Sequence, residues 1–502
     1  MGIIKRQSIK STIVIYCGMM LGYVNLLLLS PLILSPEQIG LTRVLYDGSY
    51  MFAMLAQLGI WSVATKFYSY FRDKNKKDNG FLFYMVSIPA VGFLILISLL
   101  LIFNEQFTGL FIQKSPLIVD YYYYFIPLIF IVMYYQVFET YSSLQYRIVV
   151  PNLLREVLNK FMYLIIILLL LSQMINFKMF VNFYVLSYGV SLIVLILYLR
   201  SMHTLHFKPD FSFVSPELRK QMITYGVFVF FGSLGAFAVA RMDVIMLSSL
   251  SGLYFAGIYS ISYLLGNVIE VPRKAIAQIS VPIIADAWKN NDIDKIDEIY
   301  KKTSINQAIV AGLIFLVIWI NIEAIFSLIP NSSVYIAGKY VALFIGLARF
   351  IDAATGVNTE ILMNSHKHYK FNLVLLFAMG LLTIVLNLIL IPILNMYGAC
   401  LSVLISILLY NIFKFVFIYK KWKIQPFTFN TLKVILLLIV LVFVSYLFPK
   451  LHNPILQIIM VSVPVITVYG LACYWMKVSA DANDLANLAI NKIKRLLSPK
   501  NK

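Results

Sequence analysis

Apolar residues fall along this chain in blocks separated by short polar stretches, and the blocks have the length of a membrane crossing. A spanning helix needs about 20 mainly apolar residues. On that scale the pattern predicts spans near 10–33, 45–66, 82–103, 118–141, 154–175 and 179–200. A second series lies near 220–243, 258–282, 304–328, 338–362, 372–392 and 396–419, and a last pair at 431–449 and 455–476. The expected fold is an all-α polytopic membrane protein of fourteen transmembrane helices. Lys5, Arg6 and Lys10 precede the first block, which is too long for the core of a signal peptide and reads as a helix that stays.

The polar connections test this reading. With a cytoplasmic N-terminus, the outer loops hold only Arg43, Lys114, Lys178, Lys339 and Lys450 of the 41 Lys and Arg, and Arg241, Arg273, Lys274 and Arg349 fall within spans. The other 32 lie in cytoplasmic segments and in the cytoplasmic flanks of the spans, the asymmetry that orients membrane proteins, so both termini are expected in the cytoplasm. The outer loops are all short, which argues against an enzyme working on extracellular polymer.

The chain also repeats itself. LSPEQIGLTRVLYDGSYMF from Leu34 aligns with LSGLYFAGIYSISYLLGNV from Leu250 once a one-residue gap is allowed, so that Gly40 matches Gly257. Two related six-helix lobes are therefore expected, over 1–200 and 220–419, followed by the helix pair at 431–476. Duplicated lobes of this kind are common in alternating-access transporters, with substrate held at the repeat interface. The tail at 477–502 reads as a basic amphipathic helix on the inner leaflet, with Leu485, Leu488, Ile493 and Leu496 at helical spacing among Lys492, Lys494 and Arg495.

Composition agrees with the membrane reading. The 502 residues are 61% hydrophobic and 13% charged, against about half and a quarter for soluble domains. A formal net charge of +19 then reflects cytoplasmic loops loaded with Lys and Arg, and no nucleic-acid partner is implied. Cys17, Cys400 and Cys473 all lie in apolar blocks, so no disulfide framework is expected.

What stands out is charge inside the spans. In ALFIGLARFIDAATGVNTEILMNS (342–365), Gly356 and Glu360 each fall within about 20° of Arg349 on a continuous helix, and Asp352 lies about 60° from it. Span eight carries Asn267, Glu270, Lys274 and Gln278 on one face, with Arg273 beside them. Span seven adds Arg241 and Asp243, span two begins with the i,i+4 pair Arg43 and Asp47, and span four carries Glu139. A charge at the bilayer centre costs roughly 2.5–3.5 kcal/mol, so these groups read as candidate lining of a polar substrate cavity able to hold an anion, with pairing among themselves as the alternative. No P-loop, HExxH, GxSxG or paired-cysteine metal site is present, and no metal or cofactor is expected. His366 and His368 form an HxH in a cytoplasmic loop that reads as solvated rather than metallated.

With these features in view the chain resembles the Wzx-type polysaccharide (oligosaccharide) flippases of the multidrug/oligosaccharidyl-lipid/polysaccharide exporter superfamily. The resemblance rests on LSPEQIG, RMDVIMLSSLSGLYFAGIYSISY (241–263), GVNTEILMNSHKHYKFN (356–372) and LNLILIPILNMYGACLSVLIS (386–406). It implies a V-shaped bundle in a bacterial cytoplasmic membrane that turns a polyprenyl-pyrophosphate-linked oligosaccharide to the outer leaflet. The partners implied are that lipid-linked substrate, the membrane lipid and glycan-assembly proteins. A coupling ion, proton or sodium, stays open. Of the relatives, multidrug extruders often carry an acidic residue in the first helix, and 11–33 has none. Lipid II flippases typically carry arginine there, and none is present here either.

Overall fold

The computed structural model describes residues 2–73, 77–203, 205–365 and 367–497, and every regular element among them is helical. The helices used below are α1 (Gly2–Tyr23), α2 (Pro36–Ala56), α3 (Ile60–Phe71), α4 (Phe81–Ile102), α5 (Phe125–Leu144), α6 (Asn159–Leu171), α7 (Phe177–Ser201) and α8 (Pro216–Leu250). They continue with α9 (Leu253–Asn267), α10 (Glu270–Lys289), α11 (Ile293–Ile320), α12 (Lys339–Ala354), α13 (Asn358–Asn364), α14 (Tyr369–Leu394), α15 (Met396–Trp422), α16 (Phe429–Ser445), α17 (Pro454–Trp475) and α18 (Ala480–Leu497).

Ten helical segments among the described residues are long and apolar enough to cross a membrane. Their outward side chains are lipid-like: Ile102, Leu186 and Ile393 are each more than half exposed. This is a multi-pass membrane protein. The other four expected spans, the second, fifth, eighth and thirteenth, have a different form. The second breaks at residues 57–59 between α2 and α3, and the eighth at 268–269 between α9 and α10. The fifth runs through a π-helical turn, Leu154–Leu158, into the 13-residue α6, and the thirteenth is the 17-residue α16. The span expected at 338–362 also turns, at residues 355–357, so the single continuous helix assumed for Arg349 and Glu360 is corrected to two, α12 and α13. Backbone leaves the helical ladder at membrane depth only where protein or a polar cavity takes up the freed groups. Ser304 does so here, its hydroxyl donating to the Ala354 carbonyl at 2.6 Å.

The chain forms two compact units. The first holds residues 1–260 with 384–399. One of its cores gathers Phe67, Phe71 and Phe81 against Phe138, Tyr141 and Leu195. The second holds 261–383 with 400–502, and one of its cores packs Ala308, Ala311 and Leu316 of α11 against Val434 and Leu438 of α16 and Val461 and Val465 of α17. His366 and residues 498–502 of the tail lie outside the described residues. The ring of His368 packs on Phe417 and Trp422.

Within the first unit, α2 and α9 cross at the two glycines that the repeat aligns. A Cβ on Gly40 would stand 2.4 Å from the Leu253 carbonyl oxygen, and one on Gly257 would stand 1.9 Å from that of Pro36. Small residues let two membrane helices approach backbone to backbone. Gly257→Ala is therefore expected to force the helices apart and lower the melting temperature in detergent, by a stability loss of about 1–3 kcal/mol. Adding Gly40→Ala should cost less than the sum of the two single changes, because both open the same crossing. An additive pair would show that the crossing does not act as one contact.

Candidate functional site

Two groups of charged side chains are built into the helices, one in each unit. In the first unit, Arg43 and Asp47 stand one turn apart on α2, and Asp47 is fully buried with Oδ2 2.6 Å from Arg43 Nε. Its other oxygen accepts from Nη1 of Arg241 on α8. The sequence placed Arg241 beside Asp243, but the structure parts them: Asp243 is buried and accepts from the Tyr259 hydroxyl and, at 2.9 Å, from the Val244 amide.

A second chain of ion pairs lines the same cavity as the first. Arg155 donates through Nη1 to Glu139 of α5, its Nε lies 3.1 Å from Glu156, and Nη2 reaches Asn152 at 3.0 Å. Glu156 also holds Lys160, at 2.8 Å. Arg155 and Glu156 sit in the π-turn ahead of α6, and α1 passes through a matching π-turn at Val24–Leu29. Such turns swing side chains off the regular helical face and recur at functional sites. Asn25, in the α1 π-turn, donates to the Lys160 carbonyl at 2.7 Å and ties the two together.

These side chains surround one cavity of about 420 Å³, lined by Arg43, Arg155, Lys160 and Arg241 and by the rings of Tyr46, Tyr50, Tyr163, Tyr184 and Tyr188. The four cations face three carboxylates, Asp47, Glu139 and Glu156. Each cation keeps about a third of its side chain exposed, between 30% and 39%, so the positive charge of this cavity is not sealed from what enters it. Arginine forks and tyrosine hydroxyls suit phosphate oxygens, and tyrosine faces suit apolar or sugar surfaces.

The second unit behaves differently. Arg349 of α12 forms no direct ion pair with its sequence neighbour Asp352. It donates through Nη2 to the Tyr263 hydroxyl at 2.8 Å and lies 3.7 Å from Glu270 of α10. Asp352 pairs instead with Arg273, at 2.9 Å, and accepts from Asn411 at 3.1 Å. Glu360, on α13, lies 3.8 Å from the same Arg273. Lys274 holds Glu270 at 3.1 Å and is otherwise solvent-facing. Asn267 ends α9 with its side-chain oxygen buried and without a hydrogen bond. The structure thus brings Glu270, Arg273, Arg349, Asp352 and Glu360 together, across α10, α12 and α13. Arg273 and Arg349 are only 12% and 11% exposed, which leaves them far less open to a ligand than the cations of the first unit.

Four of these charged residues were missed as site candidates: Arg155, Glu156, Lys160 and Lys414. Lys414 of α15 is completely buried, donating to Thr359 at 2.9 Å beneath the Tyr410 ring. A signal existed. All four fall inside the expected spans 154–175 and 396–419, and the i,i+4 spacing of Glu156 and Lys160 matches that of Arg43 and Asp47.

Comparison with known proteins bears on this fold. The profile of the polysaccharide biosynthesis protein family matches residues 4–288, a stretch that contains the whole lining of the first unit's cavity. Among solved structures, the lipid II flippase MurJ in an inward closed conformation superposes with a TM-score of 0.69 at 13% identity, covering 94% of this chain and 100% of that one. An inward-facing multidrug resistance transporter of the MATE family, in the MOP superfamily, gives 0.59 at 14% identity over 82% and 94%. Its outward-facing counterpart gives 0.54 at 14% identity over 84% and 95%. A search of curated protein sequences gave no match. The chain belongs to the polysaccharide biosynthesis protein family and carries the fold shared by the flippases and exporters of the MOP superfamily.

Proposed function

We propose that this protein is a flippase that carries a polyprenyl-pyrophosphate-linked oligosaccharide from the inner to the outer leaflet of the bacterial cytoplasmic membrane, for surface polysaccharide assembly. The observation that carries the reading is the first unit's cavity, where four partly exposed cations and five tyrosines meet in one space. A pyrophosphate needs that charge once it leaves water, and the polyprenol can stay in lipid while the head group crosses. The two related lobes would alternate access to the site, with both termini in the cytoplasm. Arg349, Asp352, Glu360, Glu270 and Arg273 then serve as an internally paired network that keeps the second unit's helices in register.

Depletion of the protein is expected to leave lipid-linked oligosaccharide on the inner leaflet and to reduce the surface glycan. Unchanged leaflet distribution and unchanged glycan would overturn the proposal. The likeness to MATE transporters favours one competing reading, a cation-coupled multidrug exporter. Drug sensitivity on depletion, with glycan intact, would establish that reading instead.

A further inference from the structure

A second cavity, of about 310 Å³, adjoins the cation-lined one and shares only Tyr50 and Arg155 with it. Its chemistry is different. Where the first cavity gathers charge, this one presents the neutral amides of Gln57 and Gln136, the hydroxyl of Thr140, the indole of Trp61 and a single carboxylate, Glu139. The amides meet each other, Gln57 Nε2 donating to Gln136 Oε1 at 2.6 Å, and Gln136 Nε2 is left buried with no hydrogen-bond partner. A buried amide proton pair without an acceptor costs about 1–3 kcal/mol, which an incoming acceptor recovers.

The backbone at this place is irregular as well. α2 stops at Ala56, Leu58 adopts φ 50° and Gly59 φ 79°, and α3 begins at Ile60. A left-handed leucine costs of order 1–2 kcal/mol and persists only where the surroundings impose it. The break puts Gln57 and Gly59 into the cavity wall, and interrupted membrane helices are where transporters build their substrate sites.

We propose that this second cavity is a saccharide subsite, which takes the sugar attached to the pyrophosphate while the cation-lined cavity holds the phosphates. Arg155, common to both, marks the position of the sugar–phosphate bond. The inference rests on the flippase reading above and adds the location and chemistry of glycan recognition. Each sugar hydroxyl both donates and accepts, so it is matched by primary amides, hydroxyls and a carboxylate rather than by cations. The apolar face of a sugar ring suits the flat surface of Trp61, which lines the cavity and is about half exposed.

The test uses the full chain in lipid nanodiscs and two probes, a polyprenyl pyrophosphate and the same lipid carrying one N-acetylhexosamine. The parent protein is expected to bind the glycosylated probe more tightly. Gln57→Ala with Gln136→Ala should remove that preference, weakening the glycosylated probe about tenfold and changing the bare pyrophosphate less than twofold. Gln136→Leu tests the same point while keeping the core volume, and should act on the glycosylated probe alone. Arg241→Gln should weaken both probes equally. Equal binding of the two probes by the parent, or equal loss of both in the glutamine variants, would overturn the saccharide subsite and leave the flippase reading standing. Failure of the parent to bind either probe would remove that reading, and this inference with it.

Discussion

Asp47→Ala is expected to cost the protein about 3–5 kcal/mol, enough to deplete the folded population in the membrane. Asp47 is fully buried and holds two cations from helices far apart in sequence, Arg43 of α2 and Arg241 of α8. Deleting it leaves both guanidiniums without their carboxylate, and breaking a buried pair from one side is among the most damaging single changes. Asp47→Asn keeps the shape and removes only the charge, so it should lose most of the same stability. Thermal unfolding in detergent, followed by gel filtration, reads the effect. A melting temperature within 2 °C of the parent for both variants would show that the three charges do not depend on one another.

The second large effect is on transport. Arg241→Gln combined with Lys160→Gln should lower flipping at least about 100-fold in proteoliposomes while the protein stays folded. Each charge-assisted hydrogen bond to a phosphate is worth about 1.5–3 kcal/mol, and two are removed. The fold should survive because no carboxylate is orphaned: Asp47 keeps Arg43, and Glu156 keeps Arg155. That asymmetry separates this pair from Asp47 itself. Full export by the double variant would move both cations from substrate binding to structure, and a collapse of expression would show that the remaining partners are not sufficient.

Much of this molecule is legible in its sequence. Block length predicted helices at each of the ten membrane-length segments, because lipid demands a fixed length of apolar helix whatever the fold. The i,i+4 spacing of Arg43 and Asp47 placed them on one face of α2, where they pair. Arg349, Asp352 and Glu360 stand out in the sequence as charges that must face a polar cavity or one another, and the structure packs them with Glu270 and Arg273. The partners within that group were not legible. Arg349 and Asp352, three residues apart, each turn to α10 instead of to one another, since the helix crossing brings Glu270 and Arg273 nearer.

The sequence by itself determined the class, the apolar helices, the charged positions and the repeat that matches Gly40 to Gly257. Those are local properties: the length of an apolar run, the angle between residues on one helix, the likeness of two segments. Tertiary structure decided which charges meet. It joined Asp47 to Arg241 across 194 residues, gathered Arg155 and Lys160 beside them through a π-turn, and buried Lys414 out of reach of solvent. It also broke α2 at Leu58 and opened the amide-lined cavity there. A helical wheel assumes an unbroken helix, and it carries no information about which neighbour will stand opposite. Only the packed helices supply that, because ion pairing and cavity shape depend on distances between segments that the chain order leaves free.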